Sequence, residues 1–146
     1  MRIWSRQLSV SMKILRLYKS LLDIATTEFV TVVESGEIFY SQGMEPWKVR
    51  LYLCDGSIMD IYYSVKDKYS YHWDRRLITN EIFRHDNAPH QRWKYISSFP
   101  KHFHNGSEDI VIESHISDNP ELALREFLQF VSMHLKKYWI QNHKPT

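Results

Sequence analysis

The amino-acid sequence predicts an α+β fold: an N-terminal helix, an antiparallel β-meander of about five to six strands, and a C-terminal helix packed on the sheet. Apolar residues recur at helical spacing near both ends of the chain, and between them they alternate with polar ones at the period of a strand. Only four glycines and five prolines occur in 146 residues, and no internal repeat or low-complexity tract interrupts the pattern. The expectation is a single domain, 1–146, large enough for one ordinary core.

Ile14, Leu17, Tyr18, Leu21, Leu22 and Ala25 form one helical face, so a helix is expected over about 11–25 with Ser9 or Ser11 as its cap. Glu28 to Val33 reads as a strand stopped by Ser35-Gly36, and Glu37 to Ser41 as a second short one. Lys48 to Tyr63 is the clearest hairpin. Cys54-Asp55-Gly56 suits a three-residue loop with Gly56 left-handed, a register that pairs Val49 with Ile61, Leu51 with Met59 and Arg50 with Asp60. Tyr69, Tyr71 and Trp73 alternate with Ser70 and His72, and Asp74-Arg75-Arg76 then turns into a strand from Leu77 to Arg84. Asp109 to Glu113 gives a last strand. Asn119-Pro120-Glu121 supplies a capping side chain, a proline at the first helical position and an acid at the positive dipole end. The stripe Leu124, Phe127, Leu128, Val131, Leu135 and Tyr138 carries that helix to about Ile140, where Tyr138 and Trp139 serve either the core or a homodimer contact.

The composition, 43% apolar and 14% aromatic, excludes a disordered chain. The single Cys54 excludes an intramolecular disulfide and a cysteine zinc site, and fits a reducing compartment. No stretch reaches the ~20 apolar residues that span a bilayer, and the N-terminus lacks the pattern of a signal peptide. A cytoplasmic protein with no membrane partner is expected. Net charge is only +2, but five basic residues precede the first acid, Asp23. Residues 72–104 are basic and aromatic, whereas 105–126 hold six acids against Arg125. That segregation permits a phosphate-bearing partner on one side, and is equally the pattern of a solvated surface.

Chemistry concentrates between Tyr69 and His104, where five of the eight histidines fall. Histidine holds or releases a proton near neutral pH, its unperturbed pKa being ~6.5. His102 and His104 are two apart, so on an extended segment both point to one side. That spacing suits paired metal ligands, an acid and a base, or two hydrogen-bonded structural histidines. Asp86-Asn87-Ala88-Pro89-His90 reads as a turn whose Asp and Asn side chains bond their own backbone. It either braces a loop or presents His90 rigidly, with Asp86 available to orient an imidazole. Arg84 can grip a phosphate bidentately or pair with Asp86 or Glu81. Tyr71, Trp73 and Trp93 can stack on bases or fill the core.

Tyr71-His72-Trp73, Arg84-His85-Asp86-Asn87-Ala88-Pro89-His90 and Phe99-Pro100-Lys101-His102-Phe103-His104 follow one another in an order that resembles the TumE-type toxins of bacterial toxin–antitoxin modules. The resemblance covers about Lys48 to Ser114. Gln91 stands where such proteins often have a second histidine, His85 where an aromatic commonly precedes the aspartate, and the segment from Arg92 to Ser98 is longer. The resemblance implies a toxin encoded beside a helix-turn-helix antitoxin, with ribonuclease-like activity on an RNA substrate. His90, His102, His104, Arg84 and Asp86 become the expected catalytic residues. His72, Tyr71, Asn87 and Lys101 become the expected substrate-binding ones. The expected mechanism is a cofactor-free, metal-independent transesterification, in which one histidine deprotonates the ribose 2′-OH, another protonates the leaving 5′ oxygen, and Arg84 stabilises the phosphate. Two alternatives stand beside it: a metal-dependent nuclease or nucleotide-modifying enzyme using His102, His104 and Asp86, and a non-catalytic partner-binding module.

Overall fold

The structure, a computed structural model, describes residues 2–143; Met1 and residues 144–146 of the expected domain lie outside the described residues. Helix α1 spans Arg2–Glu28, longer than expected at both ends. Ser9 and Ser11 therefore lie inside the helix and do not cap it, since neither proline nor glycine interrupts the segment. At the other end the Thr26 and Thr27 hydroxyls bond the carbonyls of Leu22 and Asp23 (2.8 and 2.7 Å), and Glu28 is held by Arg125. The strand expected over Glu28–Val33 is instead a helix end and a turn, closed by bonds from the Val32 and Val33 amides to the Phe29 carbonyl.

Strand β1 (Val33–Tyr40) continues through Ser35-Gly36, with a register shift between Val33 and Ser35. Gly36 marks a close approach between layers: a Cβ there would lie 2.6 Å from Leu22 Cδ1 and 2.9 Å from Leu51 Cδ2. Strands β2 (Pro46–Leu53) and β3 (Ile58–Tyr63) form the expected hairpin, with Val49 opposite Ile61, Arg50 opposite Asp60, Leu51 opposite Met59, and Gly56 at φ 88°. Strand β4 (Tyr69–Arg75) outlasts the turn expected at Asp74, and β5 (Glu81–Asp86) starts four residues later than Leu77. The turn falls at 76–80, where Asn80 takes a positive φ of 64° and Leu77 is fully exposed. Strand β6 (His102–Gly106) forms where only loop was expected, and β7 (Val111–Glu113) and α2 (Pro120–Asn142) complete the chain. The Asn119 side chain accepts from the Leu122 amide at 3.0 Å, as its sequence position implies.

All seven strands are antiparallel and neighbour one another in chain order. The pleat splits the sheet into two faces. Val49, Leu51, Met59, Ile61, Tyr71, Trp73, Phe83 and Phe103 point to the side covered by α1 and α2, where Tyr18, Leu21, Leu124, Phe127 and Leu128 meet them. Arg75 ends that row. It is fully buried between Asp55 and Glu81 and beneath the rings of Trp73 and Tyr138. Trp139 is largely exposed, which leaves it outside the core.

Glycine in a strand normally costs stability relative to alanine. At Gly36 the sign reverses: Gly36→Ala is expected to lose about 1–3 kcal/mol through overpacking, and Leu22→Ala in the same chain to restore part of it. Urea denaturation of the single and double variants measures both effects.

Candidate functional site

On the face away from the helices the same alternation presents polar side chains, and the strand register aligns them. Glu37, Arg50, Asp60, His72, Arg84 and His104 are successive cross-strand partners, one row across β1 to β6. Beside it, Ser70, Asp86, His102 and Glu113 form a second row. Towards β2 these groups close as ordinary ion pairs, Lys48 and Arg50 both bonding Asp60 at 2.9 and 2.8 Å. Towards β6 they do not close so simply.

There Arg84, Asp86, His102 and His104 form one cluster. The segment between β5 and β6 folds over it, burying Trp93 and Ile96 and setting the Trp93 ring 6.3 and 6.2 Å from the rings of His102 and His104. His102 Nδ1 lies 3.0 Å from the Pro100 carbonyl, and His104 Nδ1 3.0 Å from the Glu108 carbonyl. A carbonyl only accepts, so both Nδ1 atoms carry the proton and both rings turn Nε2 towards Asp86. Those Nε2 atoms stand 3.1 Å from Asp86 Oδ1 and 3.8 Å from Oδ2 respectively.

Arg84 Nε donates to Asp86 Oδ2 at 3.1 Å, and Arg84 Nη2 to His104 Nε2 at 3.1 Å. The guanidinium is also bidentate on Glu108, at 2.8 and 2.7 Å. Arg84 thereby holds the Glu108 carboxyl below its ordinary pKa. Burial first, and then the Arg84 charge, lower the pKa of both His104 and His72, which keeps these imidazoles neutral at neutral pH. His102 Nε2, in a side chain only 1% exposed, has no hydrogen-bond partner among the described residues. Asp86 Oδ1 is close to it but lies off the axis of the ring nitrogen. Asp86, His102 and His104 each offer a ligand atom, all within 4.8 Å of one another, so this trio is able to hold a metal ion.

The other expected residues divide. His90 is exposed and, with Lys68, Arg84, Asp86 and Asn87, lines a groove of about 340 Å³ beside the cluster. Asn87 braces that wall, accepting from the Tyr69 amide (2.9 Å) and donating to the Asp67 carbonyl (2.8 Å). Asp86 bonds the Ala88 amide at 3.0 Å, the backbone turn read in the sequence. His72 joins the polar row, 3.4 Å from Arg84 Nη1. Tyr71 belongs to the opposite face: it is fully buried, donates to the Pro120 carbonyl and touches Tyr63 and Phe127, which makes it a core residue. Lys101 turns away to the Ile116 carbonyl and Asp118, tying β6 to the segment before α2.

Sequence reasoning missed two participants and the placing of one core histidine. Glu108 was seen only as surface charge, although it stands four residues beyond His104 where a turn returns it to the strand end. Trp93 serves as a lid on the histidines. His85 is stacked on Phe103 at 4.1 Å in the helix-facing layer and bonded to Ser114 at 2.7 Å. Its alternation with Arg84 and Asp86 was the available signal.

A single open sheet backed by two helices, with a buried histidine–carboxylate–arginine centre on its free face, defines a small α+β protein built around one polar site. The chain belongs to the TumE family of toxins, whose family model, described as toxin TumE, matches residues 21–135. It is thus the toxin component of a toxin–antitoxin module, and has an antitoxin as partner. No curated protein and no solved structure matches it. No described helix is long and apolar enough to cross a membrane.

Burial, with the charges of Lys101 and His102 behind it, lowers the His85 pKa to about 3. Below pH ~6.5 the unfolded chain takes up a proton that the folded one declines, so stability falls as pH drops through that window. The contribution is about 1 kcal/mol per pH unit. His85→Gln, which keeps a polar atom for Ser114, should flatten the decline between pH 6.5 and 4, and chemical denaturation of both proteins across that range measures the difference.

Proposed function

We propose that this toxin acts on RNA, cleaving a phosphodiester bond at the groove walled by Arg84, Asp86 and His90. The observation that carries the reading is convergence: motifs separated in sequence meet as Arg84, Asp86, His102 and His104 on the open face, beside a groove of nucleotide-binding size. Arg84, a planar fork with carboxylate partners that a phosphate can replace, stabilises charge on the reacting phosphate. His90, exposed on the groove wall, exchanges protons with the substrate directly. His102 and His104 lie behind Asp86 and Arg84, and act on the substrate through them. Lys68 on the same wall adds positive charge for the RNA backbone. The antitoxin is read as a small helix-turn-helix protein encoded beside the toxin, and the protein as acting in the cytoplasm.

Arg84→Lys, His90→Gln and Asp86→Asn are each expected to lower RNA cleavage by about 10²-fold or more and to relieve growth arrest on expression. His115→Ala, an exposed histidine whose ion-pair partner is Glu113, should change neither. Cleavage of a labelled RNA by the purified variants, scored beside their toxicity, checks the assignment. Undiminished cleavage by all three overturns it.

A further inference from the structure

We infer that Asp86, His102 and His104 bind one divalent transition-metal ion. The ion site stands on geometry alone; its part in RNA cleavage rests on the reading above.

The orphaned His102 Nε2 is the starting observation. The Pro100 carbonyl consumes the proton on Nδ1, so in the neutral ring Nε2 is a bare lone pair, buried and 3.1 Å from an oxygen of Asp86 that is also only an acceptor. Two acceptors shielded from solvent repel unless something positive lies beside both. A proton shared along the N···O line would need the alignment that is missing here. A metal ion does not lie on that line. Ligand atoms at ~2.1 Å from an ion and at near-right or tetrahedral angles stand about 3.0–3.5 Å apart, with the ion to one side of the line joining them. The off-axis Nε2 and Asp86 Oδ1 at 3.1 Å have that relation.

His104 repeats the arrangement. Its Nδ1–H is also fixed by a backbone carbonyl, the usual means of orienting a ligating imidazole, and its Nε2 also faces Asp86. Arg84 now donates to that nitrogen, and an incoming ion displaces this one contact while the guanidinium keeps its two bonds to Glu108. Two imidazole nitrogens and one carboxylate suit Zn²⁺, Fe²⁺ or Mn²⁺ and disfavour Mg²⁺ and Ca²⁺, which prefer oxygen alone. Trp93 closes one side of the cluster, and Asp86 alone of the three ligands also lines the groove, which gives the site its link to the space a substrate would occupy.

The test is titration calorimetry of chelator-stripped full-length protein with Zn²⁺, Mn²⁺ and, for contrast, Mg²⁺. Zn²⁺ or Mn²⁺ should bind at one ion per chain, with Mg²⁺ at least about 100-fold weaker. Asp86→Asn and His102→Gln should each weaken the ion by about 100-fold or more, whereas His115→Ala should not. Circular dichroism confirms that each variant folds, and the visible spectrum of bound Co²⁺ in the wild-type protein supplies a second readout that needs no variant. Ligation by the protein shows there as d–d bands shifted from those of aqueous Co²⁺, and more intense where the ion is four-coordinate. Failure of Zn²⁺ and Mn²⁺ to bind, or binding unchanged in both folded variants, overturns the inference. RNA cleavage is scored separately. A bound ion without cleavage sinks the RNA reading and leaves the site standing, whereas cleavage that persists in chelator sinks the ion's part in cleavage and leaves the site and the RNA reading standing.

Discussion

The two-faced pleat of one continuous sheet is the constraint on which everything else depends. Side chains in a strand alternate between faces, and a slip of one residue would exchange every inward group for an outward one. Apolar side chains from β2 to β6 are committed to the helix layer: Leu51, Ile61, Trp73, Phe83 and Phe103 all have buried partners there. Their alternates have no choice of face. Arg84 and Asp86 flank His85 between Phe83 and the loop, and His102 and His104 flank Phe103, so burying the aromatics places the four polar groups together on the free side. The core thus positions the site without touching it.

Asp86 is the group through which the site's parts communicate. One carboxylate meets the Arg84 guanidinium, two imidazole nitrogens and the backbone of the loop that forms the groove wall. Such a concentration of polar groups under Trp93 is not a device for stability. Well-packed apolar residues of similar volume often do as well, whereas removing one partner strands the others. The β2 end of the same face shows the contrast, since Lys48, Arg50 and Asp60 pair off and leave nothing orphaned. A sheet that needed only closed ion pairs has them there. At β6 it keeps an unsatisfied nitrogen instead.

Much of this was legible because it was local. The Arg50–Asp60 register followed from a three-residue loop that only Gly56 permits, and α2 announced itself through Asn119 and Pro120. The same-side placement of His102 and His104 needed only the strand period. What escaped was non-local. Gly36 looked like a stop because its close approach to Leu22 belongs to the packing of two layers. His102–Gly106 looked like loop because its pairing with β5 is spread over intervening residues. The partnering of Asp86 with His102 and Arg84 with His104 follows from that pairing, so the cluster was visible as a list of residues but not as a contact. Tyr71 stood open between base stacking and the core, and only the family resemblance made it substrate-binding; the sheet turns it away from His72 and into the core.

Charge balance connects the ion site to the substrate. Arg84 opposes both Asp86 and Glu108, so the carboxylates outnumber the guanidinium by one negative charge. A phosphodiester arriving in the groove would be repelled by that charge. A proton on the cluster brings it only to neutrality. A divalent ion on Asp86, His102 and His104 makes it net positive, and one phosphodiester then returns it to zero. The proposed ion would take the place of Arg84 at His104, leaving the guanidinium on Glu108 until a phosphate replaces that carboxylate. Under the proposed reading, phosphate binding and ion binding on this face would reinforce one another, each removing the electrostatic obstacle that the other would otherwise leave.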